Sequence, residues 1–185
     1  MIPISDHLVL QPITLEDQPA LYELMKRIYP PAYKHFWLDQ GNWYINNLYT
    51  LENLKKELQE KESYYYFVRF RESIHSKEYS TIGIFKIIEN CLYPEQPDTS
   101  SFKVHRIYLD TSTQGKGIGR QLMHYAQTRA QETGHQLIWL DAMDQHPQAM
   151  NFYNSLGYIK GGLQHLDFEL LHDIYKPMWY LYKHL

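Results

Sequence analysis

One cysteine, Cys91, occurs in the 185 residues, so no intrachain disulfide and no cysteine-based metal cluster can form. Cys91 precedes a proline-containing polar loop, where a structural or incidental role is expected for it rather than that of a nucleophile. The ten histidines are scattered, with no H-E-x-x-H pair on a helix, which argues against a metal site. Basic residues are not in excess: 18 Lys and Arg face 21 Asp and Glu, for a net charge of −3. That balance excludes the electrostatic footprint of a nucleic-acid or anionic-lipid binder. No apolar run approaches the ~18 residues that span a bilayer. The start MIPISDHLVLQPITLED lacks the basic and apolar regions of a secretory leader, so a cytoplasmic location is the expectation. Repeats, low-complexity tracts and linkers are also missing, and the length suits one domain over residues 1–185.

What is present is a glycine-rich turn, Gln114-Gly115-Lys116-Gly117-Ile118-Gly119-Arg120, between a strand-like run and a long amphipathic segment. A glycine turn that opens into a helix aims several unpaired N–H groups one way and adds the positive end of the helix dipole. The result is an anion site suited to phosphate. The spacing is not that of a P-loop, because Lys116 is followed by Gly117 rather than Ser or Thr. Nor is it a dinucleotide fingerprint, since Arg120 stands where the third glycine belongs. The pattern that fits is Gln-x-x-Gly-x-Gly at Gln114, Gly117 and Gly119.

Periodicity places the other elements. His7–Gln11 reads as a short strand, and Thr14 as the cap of a helix with its apolar stripe at Leu21, Leu24, Met25 and Ile28. Tyr29-Pro30-Pro31 is expected to break that helix. Short helices are expected over 32–38 and 42–49, then an amphipathic one over 51–61. Residues 64–71 and 81–89 read as a hairpin, and 102–109, 136–142, 158–168 and 175–184 as further strands. Ile118, Leu122, Ala126 and Ala130 mark a helix ending at Gly134, and Ala149, Phe152, Tyr153 and Leu156 mark another after Pro147. Helices, hairpin, βαβα and two strands imply an α/β fold (α+β in kind), with a mixed sheet between helices.

Four pieces in this order resemble the GNAT superfamily of acyl-CoA-dependent N-acetyltransferases. They are Arg106-Ile107-Tyr108-Leu109, the turn Gln114-x-x-Gly117-x-Gly119, Ile138-Trp139-Leu140, and Ala149-x-x-Phe152-Tyr153-x-x-x-Gly157-Tyr158. The match runs from about Phe102 onward; before Ser63 only the general order of elements is shared. Within the superfamily the cofactor half looks most like bacterial polyamine acetyltransferases. The resemblance implies a mostly antiparallel sheet of about seven strands with one splayed pair of neighbours. It also implies acceptor-side helices over 1–62 and a cofactor-binding core over 63–185.

The same resemblance implies acetyl-CoA as co-substrate, no metal, a primary amine as acceptor and a homodimer as one assembly. The amides of Gly115, Lys116, Gly117, Ile118, Gly119 and Arg120 would hold the pyrophosphate, with Gln114 at the turn and positive charge from Lys116 and Arg120. The backbone at Ile107, Tyr108 and Leu109 would pair with the pantetheine arm, beside Ala149 and Phe152. Tyr153 corresponds to the family's tyrosine near the thioester sulfur, as an acid for the departing thiolate or as a hydrogen-bond donor to it. His146 stands where the family often has an asparagine contact to pantetheine; it either replaces that contact or caps the helix. The glutamate that many members carry on the strand before the turn is absent. His105 lies in that region and is the candidate base, against water relayed by Asp141 or a carbonyl.

On the acceptor side, seven aromatics fall between residues 29 and 49: Tyr29, Tyr33, Phe36, Trp37, Trp43, Tyr44 and Tyr49. Tyr33, Trp37 and Trp43 are the candidates to hold an alkylammonium by cation–π attraction, with Asp39 or Glu52 completing an amine site. Helix packing or a dimer interface is the alternative for these rings, and the Trp179–Tyr182 run is a second partner-facing candidate. Two functions follow: acetyl transfer to a primary amine (a polyamine-like or amino-acid-like small molecule, or a peptide), or a non-catalytic acyl-CoA-binding regulatory module.

Overall fold

The computed structural model describes residues 1–185, and its strands join in one eight-stranded sheet. The strands are β1 (Ile2–Pro3), β2 (Leu8–Pro12), β3 (Ser63–Phe70), β4 (Ser80–Ile88), β5 (Ser101–Leu109), β6 (Leu137–Met143), β7 (Ile159–His165) and β8 (Pro177–His184). Their order across the sheet is β1-β2-β3-β4-β5-β6-β8-β7. Only β5 and β6 run parallel; every other neighbouring pair is antiparallel.

Helices cover both faces. On one face, α4 (Ile118–Glu132) and α5 (Pro147–Ser155) bury Leu122, Ala126, Ala130 and Tyr153 against Phe85, Ile87, Phe102, Ile138 and Leu140. On the other, α1 (Gln18–Tyr33), α2 (Asn42–Leu48) and α3 (Leu51–Gln59) bury Leu21, Met25, Ile28 and Leu54 against Tyr65, Phe67 and Ile84. Covered on both sides, β4 is buried at every residue from Ile82 to Ile88, which explains why Lys86 is the one charged residue in that stretch.

Three expectations change. Helix α1 does not stop at Tyr29-Pro30-Pro31 but runs through both prolines to Tyr33, so no separate helix begins at residue 32. Tyr29 decides this: its ring stacks on Tyr44 at 4.6 Å and its hydroxyl accepts a 2.9 Å bond from Trp37 Nε1. That packing outweighs the local cost of prolines confined to the last turn. The sheet has eight strands rather than about seven, because Ile2–Pro3 pairs with Val9 and Leu10. Finally, β8 is interior, hydrogen-bonded to β6 and β7, so Trp179–Tyr182 packs inside the chain; Tyr182 lies 5.1 Å from the Tyr93 ring.

Candidate active site

The parallel pair β5–β6 holds together for only three residue pairs, Ser101 with Leu137, Phe102 with Ile138 and Lys103 with Trp139, and then parts. A bulge in β5 lies at the parting. Ile87 of β4 faces Val104 and Lys86 faces Arg106, so His105 is an extra, unpaired residue. A bulge bends its strand and sharpens the twist. It also inverts the alternation, so Val104 and Ile107 face α4 and α5 while Arg106 and Tyr108 face the α1–α3 side. The sequence carries a trace of this: Phe102 and Val104 keep one phase, Ile107 and Leu109 the other.

The opening is a cavity of about 280 Å³ that passes through the sheet. From the α4–α5 side it is walled by Tyr153, Ala149, Ile107, Leu140 and Ala142; from the other by Tyr29, Tyr33, Trp37, Tyr44, Tyr108, Asp141, Gln164 and Phe168. Two reactants can therefore approach one point from opposite faces.

Beside the opening, Gly115 (φ +78°) and Gly117 (φ +72°) lie in the left-handed region that favours glycine, and a side chain at either would meet only open space. The first intrahelical bond of α4 runs from the Gln121 amide to the Gly117 carbonyl at 3.1 Å. The amides of Ile118, Gly119 and Arg120 are thus free, as the start of a helix requires. Gly119 does different work: a Cβ there would lie 3.3 Å from Phe152 Cζ, so its bareness lets α4 meet α5. Lys116 is paired with Glu72 and lies over the Phe70 ring, while Arg120 reaches Ser155 Oγ at 3.2 Å. Gln114 is exposed at the end of the short 3-10 turn that precedes the glycines.

Tyr153 is nearly buried, 8% exposed, against Phe152 and Tyr158. Its hydroxyl has no protein hydrogen-bond partner, and burial raises its pKa. His146 does cap α5: its Nδ1 accepts the Ala149 amide at 3.2 Å. A bare Nδ1 places the ring proton on Nε2, so capping and donating into the cavity, which His146 also lines, coexist. Burial, and secondarily His35, lower its pKa.

His105 lines the cavity but is a poor proton acceptor. Burial, then Arg106, Lys86 and Lys103, push its pKa down to about 2, and its Nδ1 is buried without a partner. The unfolded chain binds a proton at this imidazole near ~6.5, which the native state refuses. Its contribution to stability is therefore complete above about pH 6.5 and lost as pH falls toward the folded value. His105→Gln should flatten the acid limb of a urea-unfolding profile taken from about pH 6.5 to 4. Identical slopes in the two proteins would contradict the shift.

Of the acceptor candidates, Tyr33 and Trp37 line the cavity, joined by Tyr29 and Tyr44. Trp43 stands one layer back, stacked on Trp37 at 6.1 Å, and Phe36 and Tyr49 are core. Asp39 and Glu52 do not reach it. Asp39 is consumed by the amides of Gly41 and Trp43 at the start of α2, and Glu52 pairs with Lys56 on the surface. Sequence reasoning did not single out Arg106, Gln164 or Phe168 as site residues. Arg106 needed the bulge to turn it inward, and Gln164 and Phe168 arrive from beyond β6. Asp141, weighed only as a relay, is held by Lys103 at 2.6 Å and Gln164 Nε2 at 2.8 Å. The Cys91 carbonyl accepts Trp139 Nε1 at 2.9 Å, and burial raises its thiol pKa.

A mixed sheet opened at its parallel pair, with a glycine anion turn beside the opening, defines an acyltransferase core. The chain belongs to the acetyltransferase (GNAT) family, whose model matches residues 19–158. It is 27% identical over 106 residues to an uncharacterized N-acetyltransferase of Lactobacillus delbrueckii subsp. lactis, a match spanning 57% of each chain. Among solved structures it resembles a spermidine N-acetyltransferase from Vibrio cholerae in complex with CoA and spermine. That match has a TM-score of 0.66 and 17% identity, over 97% of this chain and 96% of that one. The ribosomal alpha-N-protein acetyltransferase RimL, in complex with coenzyme A, gives a TM-score of 0.71 and 18% identity, over 100% and 97%. Two such different names on one architecture mean that the fold does not choose the acceptor. No helix is long and apolar enough to cross a membrane.

Proposed function

We propose that this protein transfers the acetyl group of acetyl-CoA to a primary amine by direct attack on the thioester carbonyl. The observation that carries the reading is the cavity through the sheet, with Tyr153 of α5 on one side and an aromatic box on the other, while the glycine turn meets α5 where Gly119 packs against Phe152. The free amides of Gly115, Gly117, Ile118, Gly119 and Arg120 hold the pyrophosphate, helped by the dipole of α4 and by the charge of Lys116, whose own amide bonds the Thr113 carbonyl at 3.4 Å. Beyond Lys103, β5 has no partner on its β6 side. The backbone of Ile107, Tyr108 and Leu109 is therefore open to pair with pantetheine as an added strand would. Gln114, Ile118, Ala149 and Phe152 lie along that path, and His146 donates from Nε2.

When the amine attacks, charge passes through a tetrahedral oxyanion to the sulfur. An ordinary tyrosine near pKa ~10 already donates uphill to a thiolate whose acid is near ~8.5. Burial raises Tyr153 further. Its role is then a hydrogen bond to the developing thiolate rather than full proton transfer. An alkylammonium near ~10.4 leaves about one molecule in 10³ neutral at pH 7, so its proton must be taken. Water hydrogen-bonded to Asp141, the one carboxylate on the cavity wall, relays it to bulk solvent.

The acceptor class within this reading is a small molecule of the polyamine or amino-acid kind, or a peptide N-terminus. The setting is the cytoplasm. A homodimer would use the edge strand β7, where Ile159 and Leu163 are exposed. The second reading, a non-catalytic acyl-CoA-binding module, is favoured by one observation, the loss of His105 as a base.

Release of free thiol from acetyl-CoA with polyamines, amino acids and peptide N-termini, paired with calorimetric CoA binding, separates the two. Binding with no thiol release from any amine leaves the module. No CoA uptake by folded protein removes both.

A further inference from the structure

We infer that the acceptor is a free α-amino acid with a large apolar side chain, whose carboxylate is read by Arg106 across the fork from Asp141. The inference rests on the acetyl-transfer reading of the cavity. Arg106 follows the bulged residue of β5 and lines the cavity with a side chain only 9% exposed. Its Nη1 donates to Glu57 at 2.5 Å, while Nε and Nη2 have no protein partner. The rings of Tyr49 and Tyr65, centred 6.0 and 5.9 Å away, flank the guanidinium. A guanidinium held this way presents two parallel N–H groups, the geometry that matches a carboxylate. Glu57 is its one carboxylate partner and occupies Nη1 alone; the Lys86 ammonium that Glu57 also touches at 3.2 Å has a nearer acid in Glu60 at 2.7 Å.

Arg106 and Asp141 are the only two cavity-lining residues with a formal charge. They stand on the opposite walls β5 and β6, with one positive and one negative charge. An α-amino acid carries its amine and carboxylate on one carbon, so it satisfies both walls at once. A polyamine has no group for Arg106 and brings further ammonium charges beside it, a like-charge contact in a half-buried site. The remaining wall on this face includes Tyr29, Tyr33, Trp37, Tyr44 and Phe168, which suits an apolar, ring-sized side chain.

The test is thiol release by the unaltered protein with phenylalanine, its amide, its decarboxylated amine phenethylamine, and spermidine. Phenylalanine is expected to exceed the other three in kcat/KM by at least about tenfold, because a site built for a charged partner rejects analogues that lack it. Arg106→Lys keeps a cation for Glu57 but loses the fork. It should raise KM for phenylalanine about tenfold more than it raises KM for phenethylamine, a split that a purely structural role would not produce. If phenethylamine or spermidine is acetylated as well as phenylalanine, the inference falls while acetyl transfer stands. If no amine releases thiol, both fall. Should the variant fail to fold, the comparison among the four amines still decides.

Discussion

Tyr153→Phe is expected to lower kcat at least about tenfold while leaving CoA affinity within about twofold, since one lost donor to developing charge is worth that much or more. The substitution is clean. The ring that packs against Phe152 and Tyr158 stays, and the hydroxyl has no protein partner to orphan. The glycine turn at the start of α4, where the pyrophosphate is proposed to sit, is untouched. An interaction made only as the thioester breaks appears in kcat and not in ground-state binding. Steady-state kinetics and calorimetry with CoA check both halves. Unchanged turnover would reduce Tyr153 to packing.

Glu57→Ala is expected to destabilise the fold by about 3–5 kcal/mol, the range for removing one partner of a buried ion pair. The Glu57 carboxylate on α3 reaches Lys86 at 3.2 Å and Arg106 at 2.5 Å, and the Lys86 side chain is only 1% exposed. Those cations hold its pKa below the usual carboxylate range against the opposing effect of burial. Without it Lys86 keeps Glu60 at 2.7 Å, and Arg106 keeps no carboxylate. Denaturant unfolding gives the difference directly. A loss under about 1 kcal/mol would mean that the two cations are solvated as surface charges are. The prediction links fold to specificity, because the ion pair that anchors α3 to the sheet also aims Arg106 at the cavity.

The turn residues were legible because their signal is local. Positive φ at Gly115 and Gly117 and a free helix start need only a few consecutive residues, and those residues declare themselves. The helix carrying Tyr153 was legible for a related reason, since its apolar spacing after Pro147 is local, but Tyr153 and His146 were singled out only by resemblance to the family. The continuation of α1 through Pro30 and Pro31 was not legible, because it depends on Tyr44 and Trp37 arriving from outside the helix. Glu57 was equally hidden. In LENLKKELQEK it reads as one more charge on a solvated face, and only contact with β4 and β5 makes it a buried counter-ion.

Composition, periodicity and the glycine spacing by themselves determined a mixed α/β chain, its glycine turn and the helix that carries Tyr153; the acetyltransferase reading came from the resemblance of four short motifs to a family. These are properties of backbone conformation and of neighbours a few residues apart. Tertiary structure alone decided which charges meet in the cavity. It turned Arg106 inward through a one-residue bulge, brought Asp141 to the opposite wall, and left His105 neutral among three cations. The physical reason is that pKa, pairing and access depend on what lies within a few ångströms in space, and the residues concerned come from strands and helices far apart in the chain.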